Sequence, residues 1–293
     1  MGSCLGQGEN AMITGMPRIA IAVRDFDKII TTFRDQFGMP VIDISESSVD
    51  SLGAKLAMCV PPGGSNIELM CPAVPEAPLS QSLQRFLDKR GEGLFALMLE
   101  APVPDDEAEG LLERGLAVLP LMAGAGGRDI HPKSTHGVLI RVYPDHSFQG
   151  QQEQTEASLG LSGINRVMIA VSDITQASAV YGTKLAMPID PVVVDAARGV
   201  KSAFCHPPSG GVIELVAVDD PEQAFAQSLA EFLQSRGEGM FALVLLTEDL
   251  EKTAEELGQR GLNLSRLADG AIEVGLADTC GARIHIESIQ RAA

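Results

Sequence analysis

Three charged residues, Arg18, Glu68 and Arg141, fall in strand-like segments whose other members of the same parity are small or apolar: Ala20 and Ala22, Met70, Leu139. Side chains two apart on a strand share a face, so this parity brings a carboxylate and two guanidiniums to one surface if the strands pair. Glu68 could then serve as a general base, provided burial keeps its pKa high enough to take a proton. Arg18 and Arg141 could grip a carboxylate, phosphate or enolate oxygen by bidentate hydrogen bonds, with Met98 and Tyr143 of the same parity lining the substrate space. The competing reading is an internal ion-pair triad that only fills space.

The later part of the chain offers a second set: Arg166, Glu214, Ala242 and His285, with Glu287 two residues on. Imidazole is the side chain most suited to proton transfer near neutral pH, so His285 would suit an acid/base partner for Glu214, with Arg166 as a substrate ligand; otherwise it is a strand residue exposed at the mouth of the site.

These sets correspond because the chain repeats itself. QSLQRFLDKRGEGLFAL (81–97) is echoed by QSLAEFLQSRGEGMFAL (227–243), PRIAIAVRDF (17–26) by NRVMIAVSDI (165–174), and PPGGSNIELM (61–70) by PPSGGVIELV (207–216). The offset stays between 146 and 148, so this is one duplicated domain and not a short-period solenoid. Within a copy, RIAIAV alternates bulky and small residues as a two-faced strand does. Asp25 is placed to cap a helix over FDKIITTFRDQFG, which Gly38 can end in a left-handed conformation. Strands are expected around 40–45, 54–60 and 66–71, then a helix over 79–89, a strand GLFALMLE, a helix over 105–114, and short strands near 116–121, 128–131 and 137–143. The pattern is βαβββ twice per copy. The expected fold class is therefore α+β: four βαβββ modules forming two cup-shaped sheets with helices outside. The expected division is a flexible tail 1–15, a first domain 16–148, a linker 149–162 and a second domain 163–293.

Composition narrows the function classes. At 293 residues two cores are affordable in size, and a net charge of −17 repels phosphate backbones and anionic lipid, which excludes nucleic acid and membrane as expected partners. Five cysteines without a CxxC pair do not read as a disulfide framework, and Cys59 and Cys205 hold equivalent places as small apolar side chains. MGSCLGQGENAMITG has neither a basic start nor a long apolar run, so a cytoplasmic monomer or homodimer is expected. GAGGR (124–128) lacks the strand-to-helix context of a phosphate loop and reads as a hairpin connection, while RGEG, present in both copies, reads as a turn that needs glycine.

In this order, RIAIAV, NIELM, RGEGLFAL, GAGGR and HPKSTHGVLI (131–140) resemble the vicinal oxygen chelate superfamily of glyoxalase I, bleomycin-resistance proteins and extradiol dioxygenases. The first copy is most similar to methylmalonyl-CoA epimerase. The resemblance implies a divalent metal on four cup-facing residues. Its positions match Arg18, Glu68, Ala96 and Arg141 in the first copy and Arg166, Glu214, Ala242 and His285 in the second. A further proton-transfer glutamate of the epimerase matches Leu56 and Ser202. Arginine has no lone pair to give a cation, so no metal cofactor is expected in the first cup; Glu214 and His285 are the only pair left for a loosely held one. The resemblance also places Lys133 where an anionic substrate such as a CoA thioester could meet it. The expected function is a metal-independent isomerase or lyase acting on a small anionic or carbonyl substrate. The alternative is a binding protein of the bleomycin-resistance type.

Overall fold

The computed structural model describes residues 13–122, 126–147 and 158–292; the expected tail and linker, and Gly124 and Ala125 of GAGGR, lie largely or wholly outside the described residues. The first half runs β1 (Gly15–Ala22), α1 (Phe26–Thr31), β2 (Val41–Asp43), α2 (Ser45–Leu52), β3 (Ala54–Cys59), β4 (Asn66–Pro72), α3 (Pro78–Arg90), β5 (Gly93–Ala101), α4 (Pro104–Glu113), β6 (Arg128–Ile130) and β7 (Leu139–Pro144). The second runs β8 (Ile164–Ala170), α5 (Ile174–Ser178), β9 (Val193–Asp195), β10 (Val200–Cys205), β11 (Val212–Val218), α6 (Ala224–Arg236), β12 (Gly239–Thr247), α7 (Leu250–Gln259), β13 (Leu264–Arg266), β14 (Ile272–Val274), β15 (Ile284–Ser288) and α8 (Ile289–Ala292).

Each half forms one mixed sheet, ordered β2-β3-β4-β1-β5-β7-β6 and β13-β14-β15-β12-β8-β11-β10-β9. In both, the two central strands are antiparallel (β1 with β5, β8 with β12), and each is flanked by a parallel neighbour. That is two βαβββ units joined at their first strands. In the first half the strand expected over 116–121 shrinks to a single bridge, Val118 to Ile130. A short helix, α2, follows β2 where the sequence showed no helical period; Gly53, at φ +73°, closes it.

Local chemistry fixes the helix starts. Asp25 is extended and accepts from the Lys28 N–H at 3.0 Å, and Asp173 and Asp249 cap α5 and α7 in the same way. Past α1 the chain continues as a wide π-turn over 32–36, matched by another over 179–184, and Gly38 ends the first at φ +66°.

Strand parity sorts the two faces. Ile19, Ile21, Leu69, Leu97 and Val142 pack on the convex side under α1 and α4, and their cluster is continuous with Val167, Ile169, Leu243 and Ile284 of the other sheet. Ala20, Ala22, Met70, Ala96 and Met98 face the concave side, where they meet Leu79, Leu83 and Leu87 of α3. α6 covers the second concave face in the same manner through Ala226 and Leu229. Most helices thus lie outside the cups, while α3 and α6 roof them.

The halves are joined by a quasi-symmetric pair of contacts built from the repeated RGEG turns. Glu92 accepts from the Arg24 N–H at 2.6 Å and Glu238 from the Ser172 N–H at 2.7 Å, which orients each turn. Gly137 then lies directly against the Glu238 carbonyl, and Gly281 against that of Glu92. No helix of the described residues is long and apolar enough to cross a membrane. Cys59 and Cys205 are fully buried, and burial pushes both thiols up, that of Cys205 to about 12.

Candidate functional site

The first cup holds a cavity of about 210 Å³ walled by Glu68, Met98, Leu139, Arg141 and Tyr143, with Leu56 on one side and Leu79 and Arg85 of α3 above. Glu68 is 4% exposed. Burial pushes its carboxyl above the usual carboxylate range, against the opposing pull of the Arg18 and Arg141 guanidiniums. Arg18 Nε holds Glu68 Oε2 at 3.1 Å, donates from Nη1 to Ser147 Oγ at 3.1 Å, and stacks 4.3 Å from the Tyr143 ring centre. Glu68 Oε1 accepts no hydrogen bond from the described residues.

The expected triad is corrected here to two separate ion pairs. Arg141 donates through Nε and Nη2 to the two oxygens of Asp129 at 2.5 and 2.6 Å, a bidentate fork with both side chains under a tenth exposed. The reason is register: antiparallel β6 and β7 put Asp129 directly across from Arg141. Charge in the cup is therefore balanced, without the surplus expected from two arginines against one carboxylate. Asp129 was missed by the sequence reading because RDI is too short for a periodic signal; its place opposite Arg141 appears only once pairing is known. Arg85 was missed as well. It is exposed at the cavity mouth, without a partner among the described residues.

Met98 and Tyr143 line the cavity. Lys133 does not: it is exposed on the 131–137 loop, at the contact between the two halves, in a separate groove. HPKSTHG is thus a joint, tied by Thr135 Oγ1 donating to the Val138 carbonyl at 2.6 Å and by Tyr181 Oη donating to the Thr135 carbonyl at 3.2 Å.

The second cup is arranged differently. Glu214 is fully buried, and its Oε1 accepts from Arg198 at 2.6 Å and Ser202 at 3.0 Å. Its Oε2 lies 2.8 Å from Arg166 Nε, an ion contact in which the N–H is not aimed at the oxygen. Arg166 reaches on to Glu287 at 2.8 Å, and Arg198 to Asp195 at 2.7 Å. The expected Glu214–His285 partnership is not formed. His285 Nε2 meets Glu273 Oε2 at 3.1 Å instead, beside Arg283, and the ring is 2% exposed, so it is not a residue of an open mouth either. Glu273 faces His285 by the register that sets Asp129 against Arg141. The remaining cavity is about 80 Å³. Arg198, unnoticed in the sequence, precedes Gly199 as Leu52 precedes Gly53, and Ser202 stands where the first copy has Leu56. Two apolar residues in one cup are two donors in the other.

A divalent ion does not fit these donors. The positions implied by the resemblance hold Arg18, Ala96 and Arg141 around Glu68, and Arg166 and Ala242 around Glu214, and neither arginine nor alanine offers a side-chain lone pair. His285 is turned to Glu273, and among the described residues no three His, Cys, Asp or Glu side chains converge.

With this geometry in place, the comparisons with known proteins identify the architecture. Residues 167–277 match the family described as a glyoxalase-like domain. A triple mutant of 4-hydroxymandelate synthase from Streptomyces coelicolor superposes with a TM-score of 0.68 at 12% identity, over 94% of this chain and 93% of that one. A xylose isomerase-like TIM barrel/4-hydroxyphenylpyruvate dioxygenase fusion protein does so at 0.62 and 13% identity, over 97% of this chain and 51% of the other. No curated protein matches the sequence. The chain therefore carries the fold of these structures, with one sheet in each half, and part of its second half matches the glyoxalase-like domain. The finer likeness of the first copy to methylmalonyl-CoA epimerase rests on sequence motifs alone.

Proposed function

We propose that the first cup is the working site and the second its structural counterpart, and that Glu68 moves a proton on a small carbonyl or carboxylated molecule without a bound metal. The contrast between the two glutamates carries this reading. Glu214 has two donors, Arg198 and Ser202, on Oε1 and the Arg166 guanidinium in ion contact at Oε2, in a cup with little room. Glu68 has one oxygen fixed by Arg18 and the other uncommitted among the described residues, at the wall of the larger cavity. Its raised pKa strengthens it as a proton acceptor.

In such a step Glu68 takes the proton next to a carbonyl, and the electron pair left behind is delocalised as an enolate. Arg141 commits Nε and Nη2 to Asp129, and its remaining Nη1 is the donor available to the enolate oxygen. Returning the proton to a neighbouring atom completes an isomerisation; expelling a leaving group completes an elimination. A second reading, capture of a ligand without conversion, draws support from the predominantly apolar wall and from the roof supplied by α3.

The two readings separate by deuterium exchange. Small 2-oxo and 3-oxo acids incubated with the protein in D2O should lose their α-proton signal. Glu68→Gln should stop this while holding ligand affinity within about threefold, as expected when only the reacting group changes. Binding with no exchange by the unaltered protein would favour capture and refute the proton-transfer role.

A further inference from the structure

The two joints between the halves are quasi-equivalent, but three side-chain bonds that close the first have no counterpart at the second. At the first, Lys28 Nζ donates to the Ala277 carbonyl at 2.9 Å, Thr32 Oγ1 to the Asp278 carbonyl at 3.2 Å, and Gln36 Nε2 to the Arg260 carbonyl at 3.2 Å. The repeat places Gln176, Val180 and Lys184 at the matching points of the second joint, and none of them makes the corresponding bond. The contact that does persist is Arg114 Nε donating to the Lys184 carbonyl at 2.5 Å, the counterpart of Arg260 Nη1 against the Gln36 carbonyl at 3.4 Å. Where the first joint is zipped, the second leaves a groove of about 720 Å³ bordered by Arg90, Lys133, His136, Lys184 and Glu238.

Charge in this groove runs against that of the chain, whose net is −17. Glu238 is already spent on the Ser172 N–H at 2.7 Å and His136 Nδ1 at 3.0 Å. Arg90 Nη1 donates to the Glu238 carbonyl at 3.2 Å and keeps further N–H groups. The ammonium groups of Lys133 and Lys184 have no partner among the described residues. Lys133 comes from the first half and Lys184 from the second, so both sides of the joint supply cations.

We propose that this groove is an anion site, separate from the cups, for a small ligand carrying two linked phosphate groups, held by Lys133, Lys184 and Arg90. Two point charges and a guanidinium spread over an open groove suit a divided polyanion better than a single carboxylate, and the partial exposure makes the attraction salt-sensitive. Neither lysine amine holds the fold together, so both can be removed without breaking a bond of the joint.

Calorimetric titration of the full chain with inorganic diphosphate at low ionic strength tests this. Saturable one-to-one binding is expected, weakened about tenfold or more by the Lys133→Ala/Lys184→Ala double variant, as loss of two charge contacts implies. Lys201→Ala removes an ammonium elsewhere, paired with Asp219 at 2.6 Å, and should leave affinity unchanged, as should Glu68→Gln in the cup. Absence of saturable binding, equal affinity in the double variant, or an equal loss in Lys201→Ala would each overturn the assignment.

Discussion

Glu68 and Asp129 show how the same side-chain class can be set to opposite tasks by its neighbours. Asp129 is locked in a fork with Arg141, and replacing it by Asn leaves a buried guanidinium without its counter-charge, a change expected to cost about 3–5 kcal/mol. Asp129→Leu/Arg141→Met removes both charges and should recover most of that loss in urea denaturation; failure to recover would mean that shape, not charge, sets the cost. Glu68 behaves differently because burial outweighs its arginines. Its folded pKa lies above the ordinary value of 4.5, so the folded state favours the protonated form. Its contribution is then fully present below the unfolded pKa and is lost as pH rises through the raised folded value. Glu68→Gln cannot ionise, and its stability relative to the unaltered protein should improve progressively above pH 4.5. A difference that stays flat with pH would show that Arg18 compensates the burial completely.

At the scale of elements, periodicity was legible and partnership was not. Alternation in RIAIAV, the cap at Asp25 and the stop at Gly38 announce β1 and the helix after it, because each is a local preference of the backbone. Parity likewise put Arg18, Glu68 and Arg141 on one face. Which carboxylate each arginine takes depends on the register of β6 against β7, a non-local fact absent from any single segment. RGEG is the turn that its glycines announce, with Gly91 at φ +73° and Gly93 at φ +138°, but the contact that this turn and HPKSTHG make between the halves is again non-local. Gly137 makes that point measurable. It sits at φ +77°, and a Cβ there would overlap the Glu238 carbonyl, whereas Gly63, at φ +70°, has nothing within 4 Å. Gly63→Ala should cost only the left-handed backbone penalty of about 1–2 kcal/mol. Gly137→Ala adds a collision with backbone and should lower the thermal midpoint distinctly further; equal midpoints would remove the joint from the account of stability.

Over the whole molecule, duplication has not produced two independent bodies. The convex core is one cluster running from Ile19 and Leu97 through Val167 and Leu243, and both RGEG joints tie an element of one half to a turn of the other. Backbone pairing crosses the divide too, with Ser65 bridged to Ile164 by hydrogen bonds of 2.8 Å in each direction. A half separated at this boundary would expose convex apolar surface that the other half now covers, and burial of such surface is the main term favouring the folded state. Stability then cannot be divided between the copies, and opening one should open both. Scanning calorimetry should show one transition with a calorimetric to van't Hoff enthalpy ratio of about 1, as for a two-state unit. Substitutions in either cup should shift that single transition as a whole: Asp129→Asn in the first half should lower unfolding of the second sheet by the same number of degrees. Two resolved transitions, with Asp129→Asn moving only one, would show instead that each copy keeps a core of its own.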